Sequence, residues 1–397
     1  MNNNDVEKIY EVLDTIGEAL EHLKHTENEE LHKEVTLGRY EIVSMLEDML
    51  HCSLTETIEV EKMSDADWLV TTYRIMEDIM NPLQVQNTFD VEFVKLLNYI
   101  WNHSREELLN TMKETLSGWK SNSPAAYETF VNYFARFPLW GTIDPDKGDF
   151  NTLELRVDVL KQHSYDFLWL YKRLEDYTSK RTLFAILLNW TFLDMAHLSK
   201  IKSPFPDYYE PDIFPNNKDD VFVDVGAFVG DSIVQYTQAY GRSYKKIYAY
   251  EISEDSYMKL CENTSSLHDV IVRRKGAGRE KGEMFIEDNV CSSANKLQSK
   301  GNEEQRVEIV PLDDDVEDTM TFLKMDIEGA EKDALLGCER TIRQHHPKLA
   351  ICTYHGYEDI WKIPFMIDCM YPEYKFYLRH YGGNLIPTEF VLLCKPD

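Results

Sequence analysis

Hydrophobic residues follow two different periods along this chain. Through the first 200 residues they recur at three- and four-residue spacing. In "EKIYEVLDTIGEALEHLKH", Ile9, Val12, Leu13, Ile16, Leu20 and Leu23 fall on one helical face. "YEIVSMLEDMLHC" continues the pattern, Ser64 is placed to cap "DADWLVTTYRIMEDIM", and Ser123 followed by Pro124 starts a helix over "AAYETFVNYFARF". A loop rich in Pro, Gly and Asp follows Phe137. Helix then resumes through "TLELRVDVLKQHSYDFLWLYKRLEDYTSKRTLFAILLNWTFLDMAHL", where Trp169 and Tyr171 are expected in the core. No fixed-period repeat is present. The pattern predicts an all-helical N-terminal domain over residues 1–202.

The stretch "KSPFPDYYEPDIFPNNKDD" holds four prolines and marks the boundary to a second domain, 203–397. Within it Tyr208 and Tyr209 are candidates for a lid. After it short apolar runs alternate with helical ones. "VFVDV", "KKIYAYEI", "DVIVRRKG", "GEMFIED", "VEIVPL", "TFLKMDI" and "KLAICTYH" read as strands. Helices are expected over "DSIVQYTQAYG", "SEDSYMKLCENTSS", "EKDALLGCERTIRQHH" and "YEDIWKIPFMIDCM". Two further strands flank Gly382 and Gly383. The alternation implies an α/β fold, a parallel sheet wrapped by helices, with an antiparallel strand added at the end.

In such sheets ligands bind beyond the carboxyl ends of the strands. The first strand ends in "DVGAFVGD". Gly226 allows a sharp turn, and Gly230 lets the next helix approach with its free N–H groups toward a ligand. The spacing is G-x-x-x-G, which argues against the G-x-G-x-x-G of dinucleotide enzymes. The second strand ends in Glu251, an acid placed to accept both hydroxyls of a ribose. Asp224 is placed to meet an ammonium group or to brace the glycine turn. Together these suit an adenosine with a cationic amino-acid tail, S-adenosylmethionine. Each part alone has a purely structural reading; the combination carries the assignment.

Composition narrows the classes. Against 42 Lys+Arg stand 70 Asp+Glu, a net charge of -28, so nucleic acid and anionic membrane surfaces are disfavoured. The seven cysteines, at 52, 261, 291, 338, 352, 369 and 394, are odd in number and include no C-x-x-C pair, which argues against a disulfide framework or zinc cluster and for a reducing compartment. The N-terminus lacks a signal pattern, and no apolar run reaches the ~18 residues of a membrane span. A cytoplasmic protein without membrane insertion is expected.

For chemistry, Asp326 and Glu328 follow the strand "TFLKM", and Asp326 is placed to orient an acceptor or take its proton. His355 ends the next strand and is a candidate base. Glu331 is expected to complement a helix N-terminus. "LDDDVED" lacks the glycine and spacing of a calcium loop, so Asp313 is read as a brace and no metal is expected. Ser292 and Ser293 lie in a loop able to cover a ligand.

At "FVDVGAFVGDS", "YAYE", "KGAG", "VPLDD" and above all "FLKMDIEGAEKDALLGCERTIRQHHPKLAICTYH", residues 219–396 resemble the FkbM-type S-adenosylmethionine-dependent methyltransferases. "LWLYKRLEDYTSKRTLFAILLNW" and "YYEPDIF" are similar to the segment ahead of the fold in longer members. The resemblance implies a Rossmann-like, seven-strand class I methyltransferase sheet and an oxygen acceptor on a sugar, glycan or polyketide. Carried over by position, Asp224, Gly226, Gly230 and Glu251 hold the cofactor, and Phe228, Asp231 and Ile252 beside them are further candidate cofactor-binding residues. The stretch from Lys275 to Gly278, with Gly276 and Ala277, lies near the adenine, and Asp326 faces the reaction centre. The chain departs from the family at Phe228, where Asn is frequent, and at Thr353 and Tyr354, where Glu is frequent. The expected activity is O-methylation of a small-molecule or glycan acceptor, with the N-terminal helices a candidate surface for self-association. The alternatives are a non-catalytic nucleoside-binding or assembly protein on the same scaffold, and a nucleotide-sugar or dinucleotide enzyme.

Overall fold

The computed structural model describes residues 83–287, 296–298 and 305–396. The amphipathic segments before residue 83, with Ser64, and the serines 292 and 293 lie outside the described residues. Six helices precede the first strand among the described residues: α1 (Thr88–Asn102), α2 (Arg105–Asn122), α3 (Pro124–Arg136), α4 (Asn151–Gln162), α5 (Ser164–Arg173) and α6 (Tyr177–Phe192). The chain divides into two compact units. One takes in the described residues 83–117 and 153–172, the other 118–152 and everything from 173 onward.

In the first unit the Asn87 side chain caps α1, accepting from the backbone N–H of Phe89 at 2.9 Å and Asp90 at 3.1 Å. The apolar stripe of α1, with Phe93, Leu96, Leu97 and Ile100, is buried. Tyr171 stacks on Phe93 at 3.8 Å and donates to the buried Asp90 at 2.7 Å. Trp169 is buried as well, so both aromatics are core residues, as their spacing implied.

The second unit is built on a seven-stranded sheet. Its strands are β1 (Val221–Val225), β2 (Lys246–Tyr250), β3 (Val270–Arg273), β8 (Phe322–Met325), β9 (Lys348–Cys352), β10 (Lys375–His380) and β11 (Phe390–Lys395), in the order β10-β11-β9-β8-β1-β2-β3. β1 is buried along its whole length because helices cover both faces, among them α7 (Asp231–Tyr240) and α8 (Glu254–Thr264). β11 runs antiparallel to both of its neighbours, and the other pairings are parallel. Among the described residues no helix is long and apolar enough to cross a membrane.

Four details differ from the sequence reading. The strand expected over 269–276 breaks after Arg273. β3 stays in the large sheet, while β4 (Lys275–Ala277) joins a second sheet of order β4-β7-β5-β6 with β5 (Gly282–Glu287), β6 (Lys296–Gln298) and β7 (Arg306–Val310). β6 itself lies where a loop was expected.

The helix expected over 331–346 is two, α10 (Glu331–Leu336) and α11 (Glu339–His345), following the short helix α9 (Leu312–Asp315). The break falls at Gly337, where a Cβ would come within 2.0 Å of the Gly278 carbonyl oxygen. Asp313 restarts the helix by accepting from Arg340 N at 2.8 Å and Thr341 N at 2.9 Å, which is the brace expected of it.

Tyr209 is not a lid. It is fully buried, donates to the Ser232 carbonyl at 2.8 Å and packs edge-on against Phe222, Tyr236, Tyr240 and Phe322, because the space between β1, β8 and α7 calls for a large apolar ring.

Candidate active site at the carboxyl edge of the sheet

Register brings the site together. Val225 pairs with Tyr250 on one side and with Met325 on the other. The three parallel strands therefore end level, and the residues that follow them, Gly226, Glu251 and Asp326, emerge at one edge. A cavity of about 310 Å³ lies there. On the β2 side its wall is Phe228, Tyr250, Glu251 and Ile252, with Lys275, Gly276 and Ala277. On the β8 side it is Asp326 and Glu328, joined by Asp207 and Tyr208 from the linker before β1 and by Glu389 from the residue before β11. Gly226, Asp231, Ser232, Gln235 and Lys324 also line it.

The glycines have separate tasks. Gly226 is left-handed at φ +80°, and its N–H donates to the Tyr250 carbonyl at 3.0 Å. A Cβ there would fall 1.9 Å from the Asp326 carbonyl oxygen, so only glycine lets the β1–α7 turn pass this close to the end of β8. Gly230, also left-handed, faces α8: a Cβ would meet Leu260 at 3.0 Å and Thr264 at 3.3 Å. It packs two helices together and does not line the cavity, in contrast to the ligand-facing task expected of it.

Asp224 does not line the cavity either. It is fully buried, accepts from the Ser232 hydroxyl and pairs with Lys324 at 3.0 Å, and the Lys324 ammonium also donates to the Gly226 carbonyl at 2.8 Å. Asp224 and Lys324 are register partners on adjacent buried strands. Burial opposes the charge on Lys324, but Asp224 and Asp326 hold its ammonium above the ordinary lysine range. Of the two tasks expected of Asp224, the geometry fits the brace: through Lys324 it ties the glycine turn to β8.

Glu251 lies on the wall. One of its oxygens accepts from Ser253 N at 2.7 Å, and burial raises its pKa although neighbouring backbone N–H groups oppose the rise. Burial also acts on Asp326, yet Lys324 and His355 keep it below the ordinary carboxylate range. Tyr208 donates to Asp326 at 2.7 Å, and His355 Nε2 lies 3.3 Å from it. His355 is buried beneath the wall, with Nδ1 2.9 Å from Glu331 and Nε2 3.6 Å from Glu328. Burial disfavours its charge, but Glu331, Asp326 and Glu328 outweigh that and raise its pKa to about 10. An imidazole that already holds its proton at neutral pH fits a fixed positive charge, not the base expected of it. Glu331 does more than complement a helix: it accepts from Ile327 N at 2.8 Å and anchors His355.

Two features escaped the sequence. Lys324 had a signal: it is a lone cation in an apolar strand next to a strand with a lone acid. Glu389 had none, since a Glu before "FVLLCK" reads as the end of a turn. Yet Glu389 is one of four non-glycine residues on this wall in the left-handed region, with φ +54°, beside Tyr208 at +70°, Phe228 at +45° and Glu328 at +56°. Such backbone costs about 1–3 kcal/mol per residue and concentrates at functional sites.

The family described as "Methyltransferase FkbM domain" matches residues 224–382. Among solved structures the chain is similar to a methyltransferase FkbM from Methylobacillus flagellatus KT, with 24% identity and a TM-score of 0.52 over 60% of this chain and 62% of that one. The match thus spans less than two thirds of that protein. An rRNA methylase from Streptococcus thermophilus shares 16% identity at a TM-score of 0.29, over 46% of this chain and 90% of that one. Aeropyrum pernix fibrillarin, solved with S-adenosyl-L-methionine, shares 9% at 0.31, over 46% and 68%. No curated protein matches the chain. The sheet order and the first of these structures agree on a methyltransferase fold, and residues 224–382 of it match the methyltransferase FkbM domain, within a chain whose described N-terminal part is helical.

Proposed function

We propose that this chain is an S-adenosylmethionine-dependent O-methyltransferase acting on a hydroxyl of a sugar, a glycan precursor or a similar small molecule. The observation that carries the reading is the meeting of Gly226, Glu251 and Asp326 on one cavity within the matched domain. The residues suit the group. Glu251 offers a carboxylate for ribose hydroxyls, and Gly226 on the wall lets the turn pass close to the end of β8. Gly276 and Ala277 give a small-residue wall for a flat base. When bound, S-adenosylmethionine supplies a methyl group already activated by the sulfonium charge. The protein's contribution is to position the acceptor and manage its proton. Asp326, held ionised and fixed by Tyr208 and His355, is placed to accept a hydrogen bond from the acceptor hydroxyl and orient it.

A cytoplasmic location belongs to the same reading, supported by the buried free thiols of Cys338, Cys352 and Cys394. The test is calorimetry with S-adenosylmethionine and S-adenosylhomocysteine, followed by methyl transfer from labelled donor across a panel of hydroxylated sugars. Absence of heat for both nucleosides overturns the proposal; binding without transfer to any acceptor favours the non-catalytic alternative.

A further inference from the structure

We infer that Glu389 is the general base of this site, and that binding of the positively charged methyl donor shifts it toward its ionised, active form. This rests on the S-adenosylmethionine reading above and adds a residue outside the segment 224–382.

Position comes first. Glu389 is the last residue before β11, half-buried, with its side chain on the cavity wall. Its carbonyl accepts from Tyr381 N at 2.9 Å, so the backbone is pinned while φ is +54°. A glutamate held in a conformation natural to glycine, on the wall of the methyl-transfer cavity, points to a requirement for the carboxylate.

Its surroundings set its charge. Asp326 and Glu328 face the same end from β8, and Asp207 and Tyr208 from the linker. From the end of β9 come Cys352, Tyr354, whose hydroxyl lies 3.4 Å from Asp326, and His355. Tyr133 of α3 also interacts with it. The cations nearby are committed: Lys324 to Asp224 and Gly226, His355 to three other carboxylates. This end of the cavity is therefore crowded with negative charge. Burial and then the charge of Asp326 push Glu389 up to about 7, while Asp326 stays ionised. Of the groups here, Asp326 is too weak a base and His355 is already protonated. Glu389 combines cavity access with a proton affinity near neutrality, and burial raises Asp207 on the same wall as well.

The step balances. The acceptor oxygen forms a bond to the methyl carbon, the carbon–sulfur bond breaks with its electron pair passing to sulfur, and the hydroxyl proton moves to the Glu389 carboxylate and then to water. Sulfur passes from cationic to neutral. A cation beside Glu389 favours its ionised form, so donor binding should release a proton, and by reciprocity deprotonation should tighten donor binding. The product nucleoside, with neutral sulfur, lacks this coupling.

The two nucleosides are the matched probes, and neither requires the acceptor. Isothermal calorimetry of the full chain, in buffers of unlike ionisation enthalpy, reads the protons released. S-adenosylmethionine should release more protons than S-adenosylhomocysteine near neutral pH. The ratio of their affinities should rise about three- to tenfold from about pH 6 to about pH 8. Glu389→Gln should abolish both differences while still binding S-adenosylhomocysteine, which also reports that the variant folds. Glu262→Gln, on the exposed face of α8 away from the cavity, should retain them. Equal proton release for the two nucleosides in the wild-type chain overturns the inference, even if the Gln variant fails to fold; so does a difference that survives in Glu389→Gln or vanishes in Glu262→Gln. No binding of either nucleoside overturns the parent reading and this one with it.

Discussion

His355 shows how one residue can look like a base in the sequence and be a structural charge in the fold. Its ring is enclosed by Glu331, Asp326 and Glu328, which raise its pKa from an ordinary 6.5 to about 10. The sign follows from linkage. A folded-state pKa above the unfolded one stabilises fully below about 6.5, and that stabilisation is lost as pH rises through 10. Urea unfolding should therefore show stability declining from neutral pH to about pH 10, beyond which the contribution is gone. His355→Gln should remove this component of the pH slope and cost about 3–5 kcal/mol near neutrality, the penalty of leaving buried carboxylates without their partner. An unchanged pH profile in the variant would show that the imidazole is neutral in the native protein. At Glu251 the expectation concerns binding. Glu251→Ala should weaken S-adenosylmethionine by about 1.5–3 kcal/mol, the worth of hydrogen bonds to a charged group, read by calorimetry. An unchanged affinity would remove Glu251 from the ribose site.

At the scale of elements, the turn after β1 is where the fold and the site depend on each other. Gly226→Ala combines a φ of +80° with a Cβ 1.9 Å from a backbone oxygen. It should cost at least about 2 kcal/mol of stability and abolish nucleoside binding, because relieving the clash must move either the turn or the end of β8. Denaturant melts and calorimetry together check it, and wild-type affinity in a folded variant would refute the tight approach. This turn was legible in the sequence: the alternation of strand and helix placed β1, β2, β8 and β9, and G-x-x-x-G marked the bend. What lay beyond reach depended on contacts between distant segments. Gly337 ends a helix because it meets Gly278, and β4 leaves the large sheet to pair with β7, neither of which a local period reveals. Asp224 read as a ligand residue until Lys324 appeared on the adjoining strand. Glu389 stayed hidden because left-handed backbone at a non-glycine residue leaves no mark in composition or spacing.

Over the whole molecule, a net charge of -28 acts on folding and on binding in opposite senses. Mutual repulsion among the carboxylates works against the compact state, and added salt screens it, with a Debye length of about 10 Å at 0.1 M and about 30 Å at 0.01 M. Raising sodium chloride across that range should therefore increase the melting temperature. The same field attracts a cationic methyl donor toward a cavity carrying Asp207, Asp326, Glu328 and Glu389 at one end, so salt should slow its association. Dissociation depends on close contacts shielded from solvent ions and should change little. S-adenosylhomocysteine differs only in lacking the methyl group and with it the sulfonium charge, and it separates steering from other effects of salt. Stopped-flow binding should show the association rate of S-adenosylmethionine falling several-fold more steeply than that of S-adenosylhomocysteine over this range. Parallel slopes for the two would mean that the acidic end does not act on the sulfonium at a distance. In that case the excess of carboxylates would belong to the surface as a whole, and the cavity would select its donor by contacts alone.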